Sequence, residues 1–214
     1  VPPVTPQPFY RLVVGEPPRE VRVKNRPPVQ LVQRHVHGAV RPVVVHTGTE
    51  REVRDGVRHG GDARAKRLKP DYGVFAATAD RSPESLAALA GLIPEGGVAA
   101  VVETEDAPAP DGVTVVQRAE CWQMAARQLA PAPAGPAFLE LGDADAAEML
   151  ALATLTQPGP FFARTHRMGD FIGIRRDGKL IAMAGERMKP EGYTEVSAVC
   201  THPDHRGEGY ARGL

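Results

Sequence analysis

The residues best suited to chemistry lie at the end of the chain, in Val199-Cys-Thr-His-Pro-Asp-His-Arg-Gly-Glu-Gly-Tyr-Ala-Arg-Gly-Leu214. An apolar run ending near Thr201 predicts a strand, and Pro203 breaks its ladder. Arg206-Gly207-Glu208-Gly209-Tyr210-Ala211 then predicts a turn into a helix. Glycines at such a turn let successive backbone N–H groups face one point. With the helix N-terminus they make a cradle for an anion such as a pyrophosphate. Two familiar phosphate loops are excluded by spacing. A nucleoside-triphosphate loop needs a Lys directly after its last glycine, and none follows here. A dinucleotide loop needs Gly-x-Gly-x-x-Gly, and Gly213 falls one residue too late. Gly207-x-Gly209 alone is a weak signal.

Other reactive side chains are sparse. His35 and His37 sit two residues apart without further ligands at a recognisable spacing, which is the ordinary pattern of solvated histidines. His202 and His205 precede the glycine turn and resemble a metal pair, but read equally as surface loop residues, and no metal is assigned. The chain has 2 Cys, too few for a disulfide scaffold. Cys200 has no evident triad partner and reads as a packed strand thiol.

The elements that must position the turn emerge from an uneven composition. The chain of 214 residues carries 26 basic and 26 acidic groups, which argues against a uniformly basic nucleic-acid binder. That neutrality is a cancellation. Residues 1–60 hold 15 Val, 9 Pro and one Ala, with a net charge of +5, whereas the remainder carries −5. The first stretch reads as an extended or weakly ordered arm whose prolines confine short Val-rich strands, such as Val21-Arg22-Val23, to edges or linkers. From residue 61 the pattern becomes globular. Helical character is expected over Asp62–Leu68 and Ala119–Leu129, and a helix opening at Ser82-Pro83. Strands are expected near Tyr72–Ala77, Gly97–Glu103 and Val113–Arg118. This 61–130 subdomain ends at a Pro-rich linker, 131–136.

After the linker, Phe138–Leu141 predicts a short strand. Asp143 is expected to cap a helix from Ala144 to Thr154 with an apolar face of Ala147, Leu150, Ala151 and Leu155, and Phe161–Arg164 to begin a short second helix. Asp170–Arg175 and Lys179–Gly185 form a hairpin around Asp177-Gly178, and Tyr193–Thr201 a long strand. The fold class is therefore α/β in the α+β layered sense, a mixed, mostly antiparallel sheet flanked by helices. No run reaches the roughly 18 apolar residues of a membrane span and no signal peptide is recognisable, so a cytoplasmic location is expected.

Arg-x-x-Gly-x-Ala after a strand and an apolar-x-x-His-Pro turn resembles motif A of the GNAT acetyltransferase superfamily, and the order of elements in 137–214 is similar to the first half to two thirds of such a domain. The resemblance implies N-acyl transfer from acetyl-CoA to a primary amine of a small molecule or peptide. It implies that the amides of Arg206, Gly207, Glu208, Gly209, Tyr210 and Ala211 hold the pyrophosphate. Val199, Cys200 and Thr201 would pair with the pantetheine arm beside a strand bulge, and the Val199 amide would polarise the acyl carbonyl. Glu195, the only carboxylate on the long strand, is the candidate base; alternation places it with Tyr193, Ser197, Val199 and Thr201, and an exposed strand residue is the plainer reading. Phe161, Phe162 and Arg164 are candidates for the acceptor pocket, with core packing the plainer role for the two Phe.

The chain departs from that pattern by stopping five residues after Gly209, before the strand, helix and acid-bearing tyrosine the family supplies. An incomplete domain in a fragment is therefore expected, with a truncated, inactive chain as the alternative. The expected partner is an amine acceptor, with no nucleic acid or membrane; a homodimer is allowed. A non-catalytic acyl-CoA-binding module is the alternative activity, and an arginine-rich arm that contacts nucleic acid or an acidic partner the alternative for residues 1–60.

Overall fold

Local chemistry sets several element ends in the computed structural model, which describes residues 10–14, 28–34, 59–103, 108–120, 122–126, 135, 137–188 and 194–214. The elements before the Pro-rich segment are strands β1 (Tyr10–Val14), β2 (Pro28–Arg34), β3 (His59–Gly61), β4 (Ala65–Leu68) and β5 (Ala76–Thr78), helix α1 (Pro83–Leu92), and strands β6 (Val98–Val102), β7 (Val113–Glu120) and β8 (Trp122–Ala126). After it come β9 (Leu139–Leu141), α2 (Ala146–Thr156), the hairpin β10 (Phe171–Arg176) and β11 (Lys179–Glu186), β12 (Thr194–Thr201) and α3 (Tyr210–Gly213).

Helix α1 begins as its sequence requires. The Ser82 hydroxyl accepts the Ser85 N–H and Pro83 occupies the first turn, where its missing N–H costs nothing. The hairpin turn is equally local. Asp177 and Gly178 both take positive φ, 51° and 77°, the geometry that matches the twist of two antiparallel strands.

Among the described residues the strands form one six-stranded sheet, ordered β8-β1-β12-β11-β10-β9, and two three-stranded sheets, β6-β2-β7 and β3-β4-β5. Every ladder among the described residues is antiparallel except β1 with β8. The mixed, mostly antiparallel architecture is thus as expected. Within 1–60, β1 and β2 each have sheet neighbours on both sides, rather than at an edge. Neither has a proline after its first residue, so their ladder donors are intact. Val21–Val23, His35, His37 and most of the 131–136 linker lie outside the described residues.

Three predicted helical segments differ. Within the predicted helix Ala119–Leu129 the described residues are extended, 119–120 in β7 and 122–126 in β8, because parallel pairing of β8 with β1 outweighs the helix preference of Ala, Gln and Met. Asp62–Leu68 is a turn followed by β4: the Asp62 carboxylate accepts the N–H groups of Arg64 and Ala65, and the chain then alternates between buried Ala65 and Arg67 and exposed Lys66. Phe161–Arg164 leads into a 3₁₀ turn at Thr165–Met168 instead of starting a helix.

Helix α2 also departs in detail. A 3₁₀ turn at Asp143–Asp145 precedes it, and Asp143 holds His166 and Arg167 instead of capping. Those partners, Arg167 first and His166 second, depress the Asp143 carboxyl to about 2. The buried stripe is Met149, Leu152 and Ala153, whereas Ala147 and Ala151 are exposed and Leu155 is 54% exposed. Eight of the eleven positions of α2 are apolar, so periodicity does not choose one face; packing on Phe171, Leu180, Met183 and Cys200 does. The left-handed Gln157 (φ 50°) ends the helix before Pro158.

Helices α2 and α3 cover opposite faces of the large sheet. Met183 and Cys200 point to α2, and Ile174, Ile181 and Ala182 pack with Tyr210 of α3. A separate core gathers Leu89 and Ile93 of the α1 segment with Ala65, Ala76, Ala99, Val101 and Val113. The two regions touch where Phe75 and Ala100 meet Met188, and where the buried Thr165 hydroxyl donates to the Tyr72 carbonyl. No helix among the described residues is long and apolar enough to cross a membrane.

Gly169 shows how tightly the hairpin is seated. A Cβ there would lie 2.0 Å from the Glu186 carbonyl oxygen, a backbone atom that cannot rotate away. Gly169→Ala is expected to cost about 3 kcal/mol through overpacking. Gly142→Ala, at a position with nothing within 4 Å, serves as the neutral control in thermal unfolding.

Candidate functional site

Strand β12 is interrupted where the sequence motif begins. Its ladder with β11 runs from Val196 and Ser197 to Cys200 and Thr201, with Ala198 and Val199 together opposing a single residue. Ala198 has φ 53°, and Val199 is 39% exposed. Pairing with β1 covers Thr194–Val196, ahead of this bulge. A bulge leaves backbone groups off the ladder and re-aims the side chains beyond it. It also changes which residues share a face. Because Ser197 opposes Gly185 and Cys200 opposes Met183, Glu195, Ser197 and Cys200 lie on one face, with Thr201 on the other. The simple alternation that would place Glu195 with Thr201 is therefore corrected by one extra residue.

Beyond β12 the chain makes a 3₁₀ turn at Pro203–His205 and enters the glycine segment. Gly207 and Gly209 have φ of 83° and 82°, a left-handed geometry that glycine adopts without penalty. Open space surrounds both, so the need for glycine is conformational. The following amides belong to the first turn of α3, where N–H groups have no intrahelical partner.

The bulged strand end and the glycine turn face each other across a cleft of about 550 Å³. Of the nine predicted acyl-donor contacts, Val199, Cys200, Thr201, Arg206, Gly207, Gly209, Tyr210 and Ala211 line it. Glu208 does not; its carboxylate turns away to Arg176 and Tyr210. Thr156, Pro158, His205 and Arg212 complete the wall. Thr156 and Pro158 come from the end of α2, over forty residues earlier, and nothing in their local sequence announces them. His205 and Arg212 adjoin the motif and are legible from proximity to it.

Several polar groups around the cleft are paired. Arg206 Nε donates to the Thr201 carbonyl at 3.3 Å, tying the turn to the strand end. Arg176 forks onto Glu208 with 3.3 and 3.0 Å bonds, and these hold the Glu208 carboxyl below its ordinary value. Burial pushes the Cys200 thiol up, keeping it protonated and a poor nucleophile. His202 and His205 have ring centroids 5.8 Å apart, and His202 Nδ1 accepts the Asp204 N–H. No group of three or more His, Cys, Asp or Glu side chains among the described residues is arranged to hold a metal ion.

A family model described as FR47-like protein matches residues 171–214, the hairpin, β12 and the glycine turn. Among solved structures, the chain is similar to an acetyltransferase assigned to the GNAT family from Novosphingobium aromaticivorans. The two share 36% identity over 72% of this chain and 68% of that one, with a TM-score of 0.56. The chain belongs to the GNAT family. No curated protein matches it by sequence.

Within this GNAT chain the remaining candidates sit apart from the cleft. Glu195 is 2% exposed and pairs with Arg187 at 3.1 Å. Arg187 in turn stacks 4.6 Å from the centre of the Phe75 ring and donates to the Pro160 carbonyl. Phe161 packs edge-to-face on Phe171, with ring centroids 5.8 Å apart, beside the α2 core. Phe162 donates its N–H to the Thr165 hydroxyl, and Arg164 binds Asp71 through its backbone N–H and side chain. None of these four lines the cleft. Tyr193 lies outside the described residues.

Proposed function

We propose that this GNAT chain transfers an acetyl group from acetyl-CoA to a primary amine of a small molecule or peptide. The observation that carries the reading is the cleft itself, with a bulged strand end on one wall and a left-handed Gly-x-Gly turn on the other. Such a turn favours a pyrophosphate, and a strand edge off its ladder favours the amide groups of a pantetheine arm. The volume lies within the range of small-molecule sites, about 300–1,000 Å³.

In this mechanism the free amine attacks the thioester carbon. A C–N bond forms, the C–S bond breaks, the amine gives up a proton and the thiolate takes one. The Val199 N–H donates to the acyl oxygen, where negative charge develops. Glu195 is the proposed acceptor of the amine proton, through water. Residues 137–214 carry the acyl-donor half, and within 61–130 the elements β4–β7 and α1 serve as a specificity module touching it at Tyr72–Thr165 and Phe75–Met188, while β8 belongs to the same sheet as β12. Phe161, Phe162 and Arg164 are the proposed acceptor-side residues.

The test is release of free CoA thiol from acetyl-CoA on adding a panel of primary amines, with calorimetric binding of acetyl-CoA alongside. Amine-dependent thiol release is expected. Binding without turnover across the panel would instead identify a non-catalytic acyl-CoA-binding module.

A further inference from the structure

A Gly-x-Gly turn needs an external clamp. Two residues in the left-handed region give it the right curvature but also the widest choice of other shapes, so ordering it is entropically costly. The side chain between the glycines is an acid, Glu208, whose charge opposes any anion cradled by the neighbouring amides. One residue answers both problems. Arg176, at the end of β10 and thirty-two positions earlier, donates Nη1 to Glu208 Oε1 at 3.3 Å and Nη2 to Glu208 Oε2 at 3.0 Å. The same Nη2 donates to the Tyr210 hydroxyl, and the guanidinium carbon lies 5.6 Å from the Tyr210 ring centre. Tyr210 closes the triangle by donating to Glu208 Oε2 at 3.0 Å. Its ring is buried against Ile174, Ile181 and Ala182, so the clamp is anchored in the sheet.

We infer that Arg176 is a positioning residue for the acyl-donor site, holding the Gly207–Ala211 turn in its anion-binding shape and cancelling the Glu208 charge. The inference rests on the acyl-CoA reading of the cleft. Geometry argues for a fork over a point charge. Two parallel bonds to one carboxylate plus a third to a hydroxyl use the planar guanidinium, and a lysine cannot reproduce that set.

The test uses Arg176→Ala and Arg176→Lys in the full chain, with two readouts. The first is hydrogen exchange of the 207–211 amides without ligand; the second is calorimetric affinity for CoA with the KM and kcat for acetyl-CoA. Expected is about tenfold faster exchange confined to the turn, and about tenfold weaker CoA binding, in both variants. KM is expected to rise with kcat and the global unfolding midpoint held. Wild-type exchange and affinity in Arg176→Lys would overturn the fork, and in Arg176→Ala the whole inference. Failure of the wild-type protein to bind CoA would overturn the reading of the cleft instead, while the exchange measurement still decides whether Arg176 holds the turn.

Discussion

Gly209→Val is expected to lower acyl transfer by about a hundredfold while leaving the fold intact. Gly209 sits at φ 82°, directly before the first turn of α3. A β-branched residue is strongly disfavoured there, by more than the roughly 1–2 kcal/mol that separates left-handed from right-handed backbone for ordinary residues. The turn therefore relaxes to another shape and its amides no longer converge. No neighbour lies within 4 Å of a Cβ built at this position, so the loss cannot be assigned to a clash in the core. The measurement is kcat/KM for acetyl-CoA beside thermal unfolding. Unchanged kcat/KM would remove the glycine turn from the mechanism, and a collapse of the unfolding midpoint would make Gly209 a folding residue.

The second large effect is expected at Glu195. Glu195→Gln preserves shape but withdraws the charge that faces Arg187, in a pair whose side chains are 2% and 12% exposed. Disrupting a buried ion pair from one side costs about 3–5 kcal/mol, since the other charge stays desolvated. For a chain of this size, a loss near 3 kcal/mol corresponds to a drop of roughly 6–12 °C in Tm. Adding Arg187→Gln is expected to recover part of that loss, which a double-mutant cycle measures. Its effect on rate is separable. As the proton acceptor, Glu195 should also give a fall in kcat of at least about a hundredfold per folded molecule, with KM for acetyl-CoA unchanged. Full kcat at a temperature where the variant is folded would leave Glu195 only its structural role.

Much of the chemistry-bearing segment was legible because its geometry is local. Asp177-Gly178, Ser82-Pro83 and Gly207-x-Gly209 each encode a backbone shape that few other residues adopt, so the hairpin, the start of α1 and the glycine turn could be read directly. The β12 bulge was an expectation of the family resemblance. Its consequence, that Cys200 and not Val199 or Thr201 shares the face of Glu195, depends on counting the register against β11. Arg176 was invisible for a related reason. Its partners lie across the sheet, and an arginine before Asp-Gly looks like any solvated hairpin residue.

The errors have the same origin. Ala119–Leu129 contains good helix formers, but pairing with β1 holds the chain extended through β8. On α2 two apolar stripes compete, and the hairpin beneath buries Met149, Leu152 and Ala153 in place of Ala147, Leu150, Ala151 and Leu155. What the sequence by itself determined is the set of positions where one residue type is required by backbone conformation: the turns, the first turn of α1 and the Gly-x-Gly cradle. Tertiary structure alone decided which helix face is buried, how the bulge re-phases β12, and that Thr156, Pro158 and Arg176 meet the glycine turn. Conformational requirements are written within a few residues, whereas these contacts join segments separated by a dozen to more than forty.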